Sequence, residues 1–118
     1  MDTPGKRLQI TNPLNSFLFE RKFDNVDRAF KMLCRLAEDL PRTKVIKKEN
    51  DYWKGLCKSL VFRFPDDLEI LKIKNNHGIK YSKGTIQIRS ASRFGQSDLG
   101  VNQRRIATLV SKLDKFYQ

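Results

Sequence analysis

Two apolar stripes at helical spacing flank a long stretch whose apolar residues alternate instead, and few folds accommodate that order. Val26, Ala29, Phe30, Leu33, Leu36, Ala37 and Leu40 recur three and four residues apart, the mark of a helix that buries one face. Asp24 is placed to cap its start, and Pro41, which has no amide to donate, stops it. A second stripe, Ile106, Leu109, Val110, Leu113 and Phe116, predicts a helix over Val101 to Tyr117.

Between the stripes the period falls to two. Thr43 to Lys48 reads as a strand, Glu49 to Asp51 as a turn, and Tyr52 to Phe64 as a long strand. In that strand Leu56, Leu60, Phe62 and Phe64 alternate with Trp53, Gly55, Cys57, Ser59, Val61 and Arg63, and Gly55 marks a bend or bulge. Pro65 and Asp66 punctuate before a strand over Leu68 to Lys74, and Asn75, Asn76, His77 and Gly78 make a loop. The last strand, Thr85 to Ser90, sets Ile86 and Ile88 on one face and Gln87 and Arg89 on the other. Ahead of the first helix, Ser16 to Phe23 crowds apolar residues into one further short strand.

The resulting order, (β)-α-β-β-β-β-α, is α+β. Short connections favour an antiparallel sheet of four to five strands with both helices on one face, leaving the other face open to solvent. That order is similar to the TATA-box-binding-protein-like fold, a curved sheet with two helices on its convex side; fold alone does not carry function. With 118 residues the chain holds a single core, and we expect a flexible arm over 1–14 followed by one α+β domain over 15–118. No run approaches the roughly 20 apolar residues of a membrane span, and no signal peptide is evident, so a cytoplasmic location is expected. Cys34 and Cys57 are too few for a disulfide framework or a zinc site and read as reduced structural thiols.

Charge narrows the partners. The chain carries a net +11, and the excess lies in its second part: residues 1–40 hold seven basic and six acidic side chains, residues 41–118 seventeen and seven. Such a field attracts polyanions, anionic lipid and acidic protein surfaces alike. Arg42, Lys44, Lys47, Lys48, Lys54 and Lys58 form a loose basic tract that also contains Tyr52 and Trp53.

Polar groups are densest in RSASRFGQSDLGVN, Arg89 to Asn102, where a strand must hand over to a helix. The spacing arginine-serine-x-serine-arginine-x-glycine-x-x-aspartate-x-glycine-x-asparagine, together with FPDD at Phe64 to Asp67, resembles the domain-of-unknown-function family numbered 1499, over roughly residues 26 to 116. That resemblance implies a family and no reaction. Two guanidiniums interleaved with hydroxyls, beside the free amides of a helix start, can hold a carboxylate or phosphate. The candidate ligand-binding residues are Arg89, Ser90, Ser92, Arg93, Ser97, Asp98, Asn102 and Arg105, with Asp66 and Asp67 secondary, as an acid/base pair, as metal ligands with Asp98, or simply as exposed turn residues.

The same residues also suit pure scaffold: Asp98 pairing with Arg89 or Arg93, Asn102 capping the last helix, glycines serving tight turns. No catalytic constellation is apparent, and His77, the sole histidine, sits in a loop; no catalytic residue, metal or cofactor is assigned. The expected function is a non-enzymatic module that binds an anionic small molecule or an acidic protein surface at 89–102. The alternative is nucleic-acid binding by a basic sheet face, with Tyr52, Trp53 or Tyr81 stacking on bases. Peripheral contact with an anionic membrane through the basic surface is a third reading.

Overall fold

The structure, a computed structural model, describes residues 7–10, 12–59, 64–75, 83–95 and 97–116. Among the described residues five strands and two helices follow in the order β1 (Ser16–Phe23), α1 (Val26–Glu38), β2 (Thr43–Lys48), β3 (Tyr52–Lys58), β4 (Pro65–Lys74), β5 (Gly84–Ser92) and α2 (Val101–Phe116). They form one antiparallel sheet in the order β1-β5-β4-β3-β2, so only β1 leaves its place in the meander to pair with β5. The α+β class and the element order are those expected.

Both stripes pack against the same sheet face, except that Phe116, anticipated in the second, is exposed. Val26, Ala29, Phe30, Leu33 and Ala37 of α1 and Ile106, Leu109 and Leu113 of α2 meet Trp53, Cys57, Leu68, Ile70, Ile86 and Ile88. The alternation of Trp53, Gly55 and Cys57 thus proves to be the helix-side half of β3. A Cβ on Gly55 would overlap the Trp53 indole, so the absent side chain makes room for the ring across the strand. The irregularity anticipated at Gly55 lies opposite it, where the register of β2 shifts between Val45 and Lys47.

Several boundaries move. Asn25, not Asp24, caps α1, its Oδ1 accepting from Arg28 N at 3.1 Å; either side chain has the chemistry, and the backbone geometry selects Asn25. The helix ends at Glu38, ahead of Pro41, since the residues preceding a proline turn out of the helix. β4 starts at Pro65 rather than Leu68, because Pro65, Asp66 and Asp67 pair with β3 and β5. A proline is tolerated as the first residue of a strand. β3 ends at Lys58, and the described Ser59 and Phe64 of the anticipated long strand lie outside it; residues 60–63 lie outside the described residues, as do His77, Tyr81 and Tyr117.

The second sheet face is not bare. Leu8, only 8% exposed, packs with Tyr52 and Leu71 beside Leu18 and Ile73, and its amide donates to Gln87 Oε1 at 2.7 Å. Residues 7–10 therefore lie against the outer face, where Arg89 also donates to the Gln9 carbonyl.

Candidate functional site

After Ser92 the chain must leave the sheet and enter α2 within a few residues, and three of the described ones take left-handed backbone angles: Gly95 (φ 92°), Leu99 (φ 52°) and Gly100 (φ 81°). Glycine does this at little cost; leucine does not. Asp98 organises the turn. Its Oδ1 accepts from Gly100 N at 2.8 Å and its Oδ2 from Asn102 N at 3.2 Å, so Asp98 supplies the helix-start acceptor and Asn102 is already inside α2. Burial pushes the Asp98 carboxyl upward, but hydrogen bonds from the Gly100 amide and from the side chain and amide of Asn102 outweigh it and hold its pKa below the ordinary value.

Asn102 is fully buried and is the node of a network beneath this turn. Its Oδ1 accepts from Ser90 Oγ at 2.6 Å and from Arg105 at 2.8 Å. The hydrogens of its Nδ2 are shared among the Asn15 carbonyl (3.0 Å), Ser92 Oγ (2.9 Å) and Asp98 Oδ2 (2.7 Å). Arg105 also donates to Ser90 Oγ at 3.0 Å, and forms an ion pair of 2.8 Å with Asp66, both side chains nearly out of solvent. A buried charge pair of this kind contributes fixed geometry more surely than stability. The network ties β1, β4, β5 and α2 together at one end of the sheet.

Arg89 belongs to the other face, as the alternation required. It pairs with Glu69, which also accepts from Tyr52 Oη at 2.8 Å. Arg93 holds Asp67 through two donors, at 3.0 and 2.9 Å, and Lys54 approaches the same carboxylate at 3.9 Å. The sheet thus divides the motif: Ser90, Ser92, Asp98, Asn102 and Arg105 gather on the helix side, Arg89 and Arg93 on the outer side. Ser97 is exposed and accepts from Leu99 N at 3.3 Å.

Several expectations change. Asp98 pairs with neither Arg89 nor Arg93, since each arginine meets a carboxylate on β4. Asp66 and Asp67 are strand residues, not an exposed turn, and successive strand residues point to opposite faces, so they form no acid/base pair. Trp53 is fully buried on the helix side with Nε1 bonded to Glu38 at 3.0 Å, and Tyr52 is 3% exposed, so neither offers a ring for base stacking. Burial pushes the Cys34 thiol up to about 12 and raises that of Cys57 as well, which leaves both protonated at neutral pH. Among the described residues no group of three His, Cys, Asp or Glu is placed to hold a metal ion.

Sequence reasoning missed Asn15 and Glu69. Asn15 accepts from Asn102 and from the Ser92 amide (2.9 Å), and its side chain donates to the Gly95 carbonyl at 2.8 Å. The only local signal was the Asn12-Pro13 turn before it. Glu69 carried one, as an acid alternating with Leu68 and Ile70 in a strand.

The sequence model of one family, described as a protein of unknown function (DUF1499), matches residues 11–113. The match begins well before the resemblance read from FPDD and the serine-arginine motif, and so takes in β1 and Asn15. No curated protein matches the chain.

Proposed function

Since the chain belongs to the DUF1499 family, whose description states no activity, we propose from the chemistry of the site that it is a non-enzymatic module binding an anionic partner at the end of the sheet built by residues 89–102. One observation supports the reading above others: the helix-side polar groups of the motif are consumed in holding a turn, and that turn projects Arg93, Phe94 and Leu99 outward. A fold that needed only a strand-to-helix crossing has no use for a leucine held at φ 52° and exposed. The contact surface is the turn; Ser90, Asn102, Arg105 and Asp66 are its foundation. Arg93, half exposed, and the exposed Arg104, which donates to the Leu99 carbonyl, are cations that the turn presents to solvent.

Nucleic-acid binding is the second reading, favoured by one detail of β2 and β3. Lys47 and Lys54 are direct cross-strand neighbours, a like-charge pairing that costs stability. Each lysine has only a loose carboxylate neighbour, Glu49 at 3.8 Å and Asp67 at 3.9 Å, that a phosphate could replace, while Tyr52 and Trp53 do not serve as a stacking platform.

Titrating the isotopically labelled chain with a heparin oligosaccharide, followed residue by residue by NMR, separates the two. Shifts concentrated at 93–100 and Arg104, lost in Arg93→Glu with the fold intact, are expected. Shifts confined to Lys44, Lys47 and Lys54 would move the contact to the sheet face and refute the proposal.

A further inference from the structure

Four of the eight exposed large apolar side chains among the described residues crowd one end of the molecule: Leu14 (64% exposed), Phe64 (50%), Phe94 (61%) and Leu99 (78%). They come from three segments distant in sequence. Backbone and side-chain hydrogen bonds draw those segments together: Asp98 N to the Leu14 carbonyl at 3.1 Å, Arg93 N to the Pro65 carbonyl at 3.2 Å, and Asn15 Nδ2 to the Gly95 carbonyl at 2.8 Å. Soluble surfaces scatter single apolar residues freely, but a set gathered by a dedicated network marks a contact.

Leu99 sharpens the point. Its backbone angle suits glycine or asparagine, and its side chain is almost wholly in solvent, so neither local conformation nor core packing accounts for leucine. Arg104 secures the turn by donating to the Leu99 carbonyl at 3.1 Å.

The charges at this end are complementary to an anion. Arg93 and Arg104 flank the apolar tips, and Arg42 and Lys58 lie where β2 begins and β3 ends, joined by Lys58 N to the Arg42 carbonyl at 3.1 Å. Of the nearby carboxylates, Asp66 is buried against Arg105, Asp67 faces Arg93 and Lys54, and Asp98 turns inward; Asp39, at the C-terminal cap of α1, is exposed. The surface is therefore apolar at its tips and mostly cationic around them.

We propose that this end docks on an anionic lipid bilayer, which deepens the reading above and rests on it. The apolar side chains stand on separate segments, and two cavities lined by described residues, of about 600 and 290 Å³, lie along α1. A protein partner would need a matching hollow for each projection. A fluid interface needs none: acyl chains close around each tip while the guanidiniums meet headgroup phosphates. Leu14, Phe94 and Leu99 enter the boundary, Phe64 at their side, and Arg104 meets the phosphates, joined by the Nη1 of Arg93, which is not one of the two donors that hold Asp67.

The test is co-sedimentation of the full chain with vesicles of phosphatidylcholine alone and of equal parts phosphatidylserine and phosphatidylcholine. Binding to the anionic vesicles only is expected. Leu99→Gly should weaken it about tenfold, the scale of one leucine withdrawn from an apolar phase, while thermal stability holds or rises because glycine suits the backbone angle. Phe94→Ser gives the same loss by a second route, and Arg104→Glu should weaken binding by tenfold or more through charge. Binding unchanged in both apolar variants would overturn the proposal in favour of charge attraction alone. No vesicle binding, with heparin still shifting 93–104, would overturn the lipid partner and leave the anionic-partner reading standing; loss of both would remove the two together.

Discussion

Asn102→Ala tests whether the buried network, rather than any bound partner, is what holds the 93–100 turn. The deletion removes the acceptor of Ser90 Oγ and one acceptor of Arg105, and the donor shared by Asn15, Ser92 and Asp98. Arg105 keeps Ser90 and Asp66, and Asp98 keeps two backbone amides, so the charged members lose only part of their partners. Counting about 1 kcal/mol for each neutral bond and somewhat more for each charged one gives a loss of about 3–5 kcal/mol. A 118-residue domain has a total stability of roughly 6–18 kcal/mol, so the variant should still fold, with a midpoint lowered by roughly 10–20 °C. Urea unfolding followed by emission of the buried Trp53 reads the change, and Gln103→Ala, one residue on and exposed, should shift stability by no more than about 0.5 kcal/mol. Because Ser90 and Asn102 share one bond, the double alanine variant should cost less than the sum of the singles by about 1 kcal/mol. A loss below about 1 kcal/mol in Asn102→Ala, or strict additivity with Ser90→Ala, would refute the account of this network as the foundation of the turn.

Two further outcomes follow from the same geometry. Gly55→Ala forces a methyl into the Trp53 indole and should cost about 1–3 kcal/mol, with a red shift of tryptophan emission; an unshifted spectrum at full stability would show that the ring position is not fixed by the missing side chain. Asp98 has a folded pKa held below its ordinary 3.8, so its contribution is present above that value and is lost as pH falls through the lower folded value. Asp98→Asn should therefore be less stable at neutral pH and lose less of its remaining stability on acidification than the parent, which retains the depressed Asp27 and Glu38 in common with it; parallel acid-unfolding curves would contradict this.

What could be read from the sequence was what depends on near neighbours. The stripes over Val26–Leu40 and Ile106–Phe116 set two helices, and alternation set Ile86 and Ile88 against Gln87 and Arg89, because both periods are properties of a few adjacent residues. Pairing across the fold is not such a property. Nothing near Asp98 says that Arg93 will find Asp67, or that Asn15, some 87 positions away, will meet Asn102. The motif itself shows where the reasoning stopped short. Period two, which set Arg89 opposite Ile88, had only to be carried on to Ser90 and Ser92 to separate them from Arg89 by the thickness of the sheet. Polar density therefore pointed to one place in the chain that serves two surfaces: a helix-side network that builds the turn, and an outer side where Arg89 and Arg93 engage the carboxylates of β4. Phe94 and Leu99, which neither surface needs, are the residues that polar density overlooked, and they carry the argument for a partner because the fold gains nothing from exposing them.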